Sequence, residues 1–322
     1  MKRKDFVKSS MIMGAGMGLS PSLACNSLAE KKLNAIGLGL FSIPKIMEQD
    51  LEGTIKKMAA IGIKEFETYG PYSFTQEKTK ASWAEVSAFL GFSASGFFGR
   101  SAQEFKDLTS QYGISVPAMH TDLYTLESYM PSLAKAARSI GATYVVLPSI
   151  PEPERLDIEA YHLMASRFNE IGRIAKEEGI RFAYHNHGYG LIPEDNGMVP
   201  LDIIFEETDS DKVFFEMDLF WTVAGKADPI DLLKKHKGRY KMLHIKDMKS
   251  ITYFKGKGST SSEWMELFPQ LVPAGSGEIP LQEIMDVAYH NGVLHYFVEH
   301  DLAPNPYENI QSAFNFLNGL RF

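Results

Sequence analysis

Val213-Phe214-Phe215-Glu216-Met217-Asp218-Leu219-Phe220-Trp221 opens as a β-strand and runs into two carboxylates. The apolar opening suits a strand buried on both faces, as in a parallel sheet covered by helices. Glu216 and Asp218 stand two residues apart, so both face the same side of such a strand. Ions buried there are costly unless a metal or a partner compensates them. Working outward, the design recurs. Strands are predicted at residues 35–41, 64–69, 114–120, 144–148, 181–187, 213–218, 240–246 and 294–299. Six of the eight finish in ionisable groups: Glu67, His120, His185-Asn186-His187, Glu216 with Asp218, His244 with Lys246-Asp247, and Glu299-His300.

Between these runs lie stretches of helical period, at 51–60, 126–140, 158–178 and 281–290 among others. Gly62, Gly113, Gly141, Gly179 and Gly292 each stop a helix just before the next strand. Eight such units with short helix-to-strand turns predict an α/β chain folded as a single-domain (β/α)₈ TIM barrel over residues 31–322. The competing reading is an open doubly wound sheet, which expects a glycine-rich loop after the first strand; none follows residues 35–41. Three longer inserts, 70–99, 149–155 and 250–280, follow strands two, four and seven, on the side where barrel enzymes carry substrate loops.

The chain has 322 residues, 44% hydrophobic and 23% charged, with a net charge of −7. Residues 1–24 hold Lys2, Arg3, Lys4 and Lys8 against Asp5, so without them the balance falls to −10. That surface repels phosphodiesters and argues against a nucleic-acid partner. No run approaches the ~20 apolar residues of a membrane span. Residues 1–30 read as an export leader: a basic start, a short apolar stretch from Met11 to Leu19, then small residues. They resemble a twin-arginine signal with Lys4 at the second arginine. Ser22-Leu23-Ala24-Cys25 resembles a bacterial lipobox, making a lipid on Cys25 the one route to a membrane; Cys25 is also the single cysteine. The expected location is periplasmic, or anchored as a lipoprotein.

Asp218, His244 and Glu299 end consecutive predicted strands, which lie about 4.8 Å apart, so the three can converge on one ion. A mixed imidazole and carboxylate set suits one divalent metal, with Mn, Zn, Co, Fe and Mg as the choices. His185 joins them as the fourth ligand or leaves the metal and acts as a base, and His187 is its rival on the same face. Glu299, His187 and Glu67 are the candidate proton-transfer groups. His120, Trp221 and Lys246 are the candidate substrate contacts. For His120 and Trp221 an ordinary core position is the other reading, and for Lys246 it is a salt bridge to Glu216 or Asp218.

The runs Tyr184-His185-Asn186-His187, Glu216-Met217-Asp218-Leu219-Phe220-Trp221, His244-Ile245-Lys246-Asp247 and Phe297-Val298-Glu299-His300-Asp301 resemble, in order, those of the sugar phosphate isomerase/epimerase family, which has the xylose isomerase-like barrel. The resemblance spans Asn34 to the C-terminus. It implies a divalent metal held by a strand-five glutamate, a strand-six aspartate, a strand-seven histidine and a strand-eight glutamate. Asp218, His244 and Glu299 match the last three, and His185 stands where the glutamate is expected. The implied activity is isomerisation or epimerisation of a sugar by proton abstraction next to a carbonyl, through an enediolate. The same chemistry serves a lyase or hydratase acting on 3-keto-glycosides, and a sugar-binding protein without catalysis is the third reading. The substrate in each case is a small sugar or glycoside. Fractionation of the native bacterium should find the protein outside the cytoplasm and shortened at its N-terminus; full-length cytosolic protein would refute the export reading.

Overall fold

The runs read as strands buried on both faces form eight parallel strands in the computed structural model, which describes residues 31–301 and 303–322. These are β1 (Gly37–Gly39), β2 (Glu65–Tyr69), β3 (Ser115–His120), β4 (Tyr144–Leu147), β5 (Arg181–His185), β6 (Val213–Asp218), β7 (Tyr240–Ile245) and, after a small antiparallel ribbon of β8 (Asp247–Met248) and β9 (Leu271–Val272), β10 (His295–Val298). Each barrel strand pairs with its neighbour, and β10 returns to β1, Gly37 opposite Phe297, to close the barrel. Residues 1–30, where the export leader and the lipid on Cys25 are expected, lie outside the described residues. Lys32–Phe322 is one compact unit, and no helix among the described residues is long and apolar enough to cross a membrane.

Alternation along the strands creates two apolar regions. Phe182 and Tyr184 on β5, Phe215 and Met217 on β6, and Leu243 and Ile245 on β7 join the large core between sheet and helices. Ala118, Tyr144, Val146, Ala183, Met242 and Phe297 form a smaller cluster among the inward-facing positions. The five helix-ending glycines all have φ between +69° and +116°, the left-handed region that L side chains avoid. At the other ends, Asp50, Asp122 and Asp157 accept backbone N–H bonds from the first turns of their helices.

Three expectations are adjusted. The helix expected over 126–140 is two, Leu123–Ser128 and Met130–Ile140. Pro131 has no N–H to continue the first, and its fixed φ starts the second. The strand expected over 181–187 ends at His185: Asn186 donates to Thr222 Oγ1, His187 turns to the Pro148 carbonyl, and Gly188 has φ +83°. The inserts are structured too. Residues 70–99 contain helix Glu77–Leu90 and residues 250–280 contain helix Ser261–Leu267, which a Thr260–Glu263 capping box starts.

Asp247 is fully buried where β7 gives way to the ribbon. Its carboxylate accepts from four backbone N–H groups: Met248 at 2.8 Å, Gly275 at 3.0 Å, Gly277 at 2.8 Å and Ile279 at 3.2 Å. Asp247→Ala strands those donors in a buried place, each at a cost of roughly 1–3 kcal/mol. The variant should lose at least ~3 kcal/mol of stability in urea unfolding, and a loss within error of zero would show that the 273–279 loop does not depend on this anchor.

Candidate metal centre

Two residues beyond the inward-facing cluster, five of the strands reach a titratable side chain. Ala118 leads to His120, Ala183 to His185, Phe214 to Glu216, Met242 to His244 and Phe297 to Glu299. Two more residues along come Asp218, Lys246 and Asp301. The period of two thus stacks one polar layer on another inside the barrel.

The deeper layer is rich in histidine. Glu216 Oε2 lies 2.7 Å from His120 Nε2, 3.0 Å from His185 Nδ1 and 3.4 Å from His244 Nε2. Glu67 Oε2 lies 2.5 Å from His244 Nε2 and 3.0 Å from His120 Nε2. Burial opposes charge on these groups, but the pairs overcome it: His120 is pushed up to about 9 by Glu67 and Glu216, and Glu67 is held at about 2 by His120 and His244. His185 goes the other way. Burial, with His244 beside it, holds its imidazole neutral, well below the usual range.

The layer nearer the rim centres on Lys246. Its Nζ lies 2.7 Å from Asp301, 2.9 Å from Glu299 and 3.0 Å from Asp218. Glu299 Oε2 also faces His244 Nδ1 at 2.7 Å. Burial disfavours the Glu299 carboxylate, yet His244 and Lys246 outweigh it and hold the carboxyl well below its ordinary range. Asp218 Oδ1 accepts from Trp221 N at 2.9 Å and so caps the short helix Leu219–Ala224. A Cβ at Gly39 would meet Glu299 Oε1 at 2.7 Å, so only glycine on β1 leaves that carboxylate its place.

Asp218, His244 and Glu299 therefore come together as the sequence suggests, one ligand atom of each within 4.8 Å of the others. His185 is close, its Nε2 3.8 Å from Asp218 Oδ2, while its Nδ1 belongs to Glu216. His187 lies past the strand end. Its Nδ1 donates to Pro148 O at 2.6 Å, which leaves the lone pair on Nε2, and burial depresses it to about 3. Glu67 and His120 are bound to each other in the deep layer. Trp221 is buried and stacks on Phe254 with centroids 5.8 Å apart. Lys246 makes the expected bridge to Asp218 and adds Glu299 and Asp301.

Three residues of the site lie outside the candidate ligands, bases and substrate contacts that the sequence suggests. Glu216 shares its face with Asp218, and that alternation was the available signal. Asp301, whose carboxyl burial and Glu299 raise to about 6 against the pull of Lys246, belongs to a strand-end run that drew attention only to Glu299. Trp264 comes from the 250–280 insert and stacks on His187 at 5.1 Å, and nothing in the spacing announces it.

Glu67 Oε1 and Glu216 Oε1 are buried and make no hydrogen bond, and Asp218 Oδ2 has only its ion-pair contacts to Lys246 and His185. Orphaned carboxylate oxygens are what a divalent cation would satisfy, so the donor set fits a metal.

Residues 55–319 match the xylose isomerase-like TIM barrel family, and the chain belongs to it. Among curated relatives, an inosose dehydratase of Clostridium beijerinckii is 29% identical over 161 residues, 48% of this chain and 53% of that protein. An inosose dehydratase of Geobacillus thermodenitrificans is 24% identical over 69% of this chain and 82% of its own length. The chain spans about half the length of the first of these. A sugar phosphate isomerase/epimerase structure from Parabacteroides distasonis superposes with TM-score 0.67 at 22% identity, covering 91% of this chain and 95% of that one. The IOLI protein with a binding zinc atom superposes with TM-score 0.58 at 15% identity, covering 87% and 95%. The two structural likenesses bear on the fold.

Breaking a buried ion pair by removing one partner costs about 3–5 kcal/mol. Lys246→Met should therefore lower stability by about that much in urea unfolding with EDTA present. An unchanged midpoint would mean that the three carboxylates do not need this ammonium.

Proposed function

We propose that this chain is a divalent-metal-dependent enzyme that removes a proton next to the carbonyl of a sugar-like substrate. The observation that carries the reading is the convergence of Asp218, His244 and Glu299 at the strand ends. Those three, with His185, would hold one ion, drawn from Mn, Zn, Co, Fe and Mg. When bound, such an ion polarises a carbonyl and stabilises the negative charge that develops on its oxygen.

The chain's own residues do the rest. Glu299, kept ionised by Lys246 and His244, takes the proton. His187, its lone pair left on Nε2, serves as a second proton-transfer group that can accept a proton from another side, while Glu299, once protonated, returns the one it took. Lys246 keeps Asp218 and Glu299 oriented and charged. If the proton returns to a neighbouring carbon or the opposite face, the outcome is isomerisation or epimerisation. If a leaving group stands beside the deprotonated carbon, the outcome is elimination, and the likeness to inosose dehydratases supports that branch. We also propose that the enzyme works outside the cytoplasm, which the order of residues in its leader supports.

Glu299→Gln keeps the side-chain shape and one oxygen ligand but removes the base. It should retain much of its metal and lose about 10²-fold or more in turnover, the scale of a lost general base. The step is visible without knowing the whole reaction. Wild-type enzyme in D₂O with ketoses or 3-keto-sugars should exchange the proton beside the carbonyl, followed by NMR, and the metal-replete variant should not. Undiminished exchange in the variant would move the base to His187 or His185. Absence of exchange with every substrate offered would favour a binding protein.

A further inference from the structure

We propose that the barrel holds a second divalent cation, deeper than the strand-end site, bound by His120, His185, Glu216 and the Nε2 atom of His244. One ligand atom from each of these four lies within 4.8 Å of all the others. Three imidazole nitrogens surround a single carboxylate oxygen, Glu216 Oε2, at 2.7, 3.0 and 3.4 Å. Donors on a tetrahedral ion with metal–nitrogen bonds of about 2.0–2.1 Å stand roughly 3.3 Å apart. Small outward movements of the rings would therefore open the group to an ion.

Two further observations point to a cation here. Glu216 and Glu67 are both deeply buried, and each keeps one oxygen, Oε1, without a hydrogen bond. Among the described residues, Glu67 and Glu216 pair with histidines only, whereas Asp218, Glu299 and Asp301 share the Lys246 ammonium. The outer group thus carries a cation of its own, whereas among the described residues no lysine or arginine pairs with the two inner carboxylates. A divalent ion among them would supply positive charge where the side chains bring none of that kind. Three histidines and a carboxylate favour Zn²⁺ or Co²⁺ over Mg²⁺, which takes oxygen ligands. His244 serves both groups, its Nδ1 toward Glu299 and its Nε2 toward the inner set. His185 is shared in the same way, its Nδ1 toward Glu216 and its Nε2 toward Asp218, so the inference rests on the metal-dependent reading above through these two rings.

The test uses the full chain loaded with Co²⁺, dialysed, and assayed for cobalt per chain and for visible absorption. Asp218→Asn combined with Glu299→Gln strips the outer carboxylates. That variant should keep a cobalt ion with the intense bands of four-coordinate, nitrogen-rich cobalt. Glu216→Gln and His120→Gln should each lose that ion and those bands while circular dichroism reports an intact fold. Cadmium-113 NMR of the wild-type chain gives a check that needs no variant, because a nitrogen-rich site resonates apart from an oxygen-rich one. Full retention of cobalt and its bands in Glu216→Gln and His120→Gln would overturn the inner site, as would a single oxygen-rich cadmium signal. If the outer double variant loses all its metal while the inner variants keep theirs, the inner site falls and the strand-end reading stands. If the inner variants lose all metal and the outer one loses none, the inner site stands and the strand-end reading falls.

Discussion

The ammonium of Lys246, set among Asp218, Glu299 and Asp301, is the interaction on which the upper half of the barrel interior depends. Three carboxylates could not share that buried space unaided, because their mutual repulsion and lost hydration would drive protonation or unfolding. With the ammonium in place, Glu299 stays ionised and oriented against His244. Asp218 can then give its other oxygen to the Leu219–Ala224 helix. One side chain just past β7 in this way organises groups from β6, from the end of β10 and from the loop beyond it.

The deeper layer is balanced differently. There the positive charge comes from imidazoles, and Glu67, from the opposite side of the barrel, is drawn to His120 and His244. The two layers lie one strand repeat apart and meet at His244, whose ring touches carboxylates of both. The barrel interior is thus a graded stack, apolar at Ala183 and Met242, histidine-rich above them, and carboxylate-rich with a lysine nearest the rim.

The barrel was legible in the sequence because strands buried on both faces leave few reasons for charge, so Glu67, His120, Glu216 and His244 at their ends stood out. The spacing of consecutive strand ends also joined Asp218 to His244 and Glu299, whose ligand atoms lie within 4.8 Å of one another. It could not say how deep each side chain sits, because depth depends on the stagger between strands. That is why the sequence leaves His120 open between a substrate contact and a core position; it lies within hydrogen-bonding reach of Glu67 and Glu216. The alternation also assumes a regular strand, and β5 ends at His185, so His187 follows a different course from the one expected of it. Trp264 was illegible for another reason: it arrives from an insert whose local sequence carries no barrel period.

Lys246 and Asp247 are neighbours that face opposite ways, the first into the carboxylates and the second into four backbone amides of the strand-seven excursion. Because side chains alternate, sliding this segment by one residue in one direction would send Asp247 among the anions, and in the other direction would send Lys246 among the amide hydrogens. Each error is severe on its own, so slips both ways are opposed. The amide cradle around Asp247 consequently acts as a register lock. It fixes which residue enters the barrel, and a peripheral loop thereby sets the sign of the charge at the heart of the site.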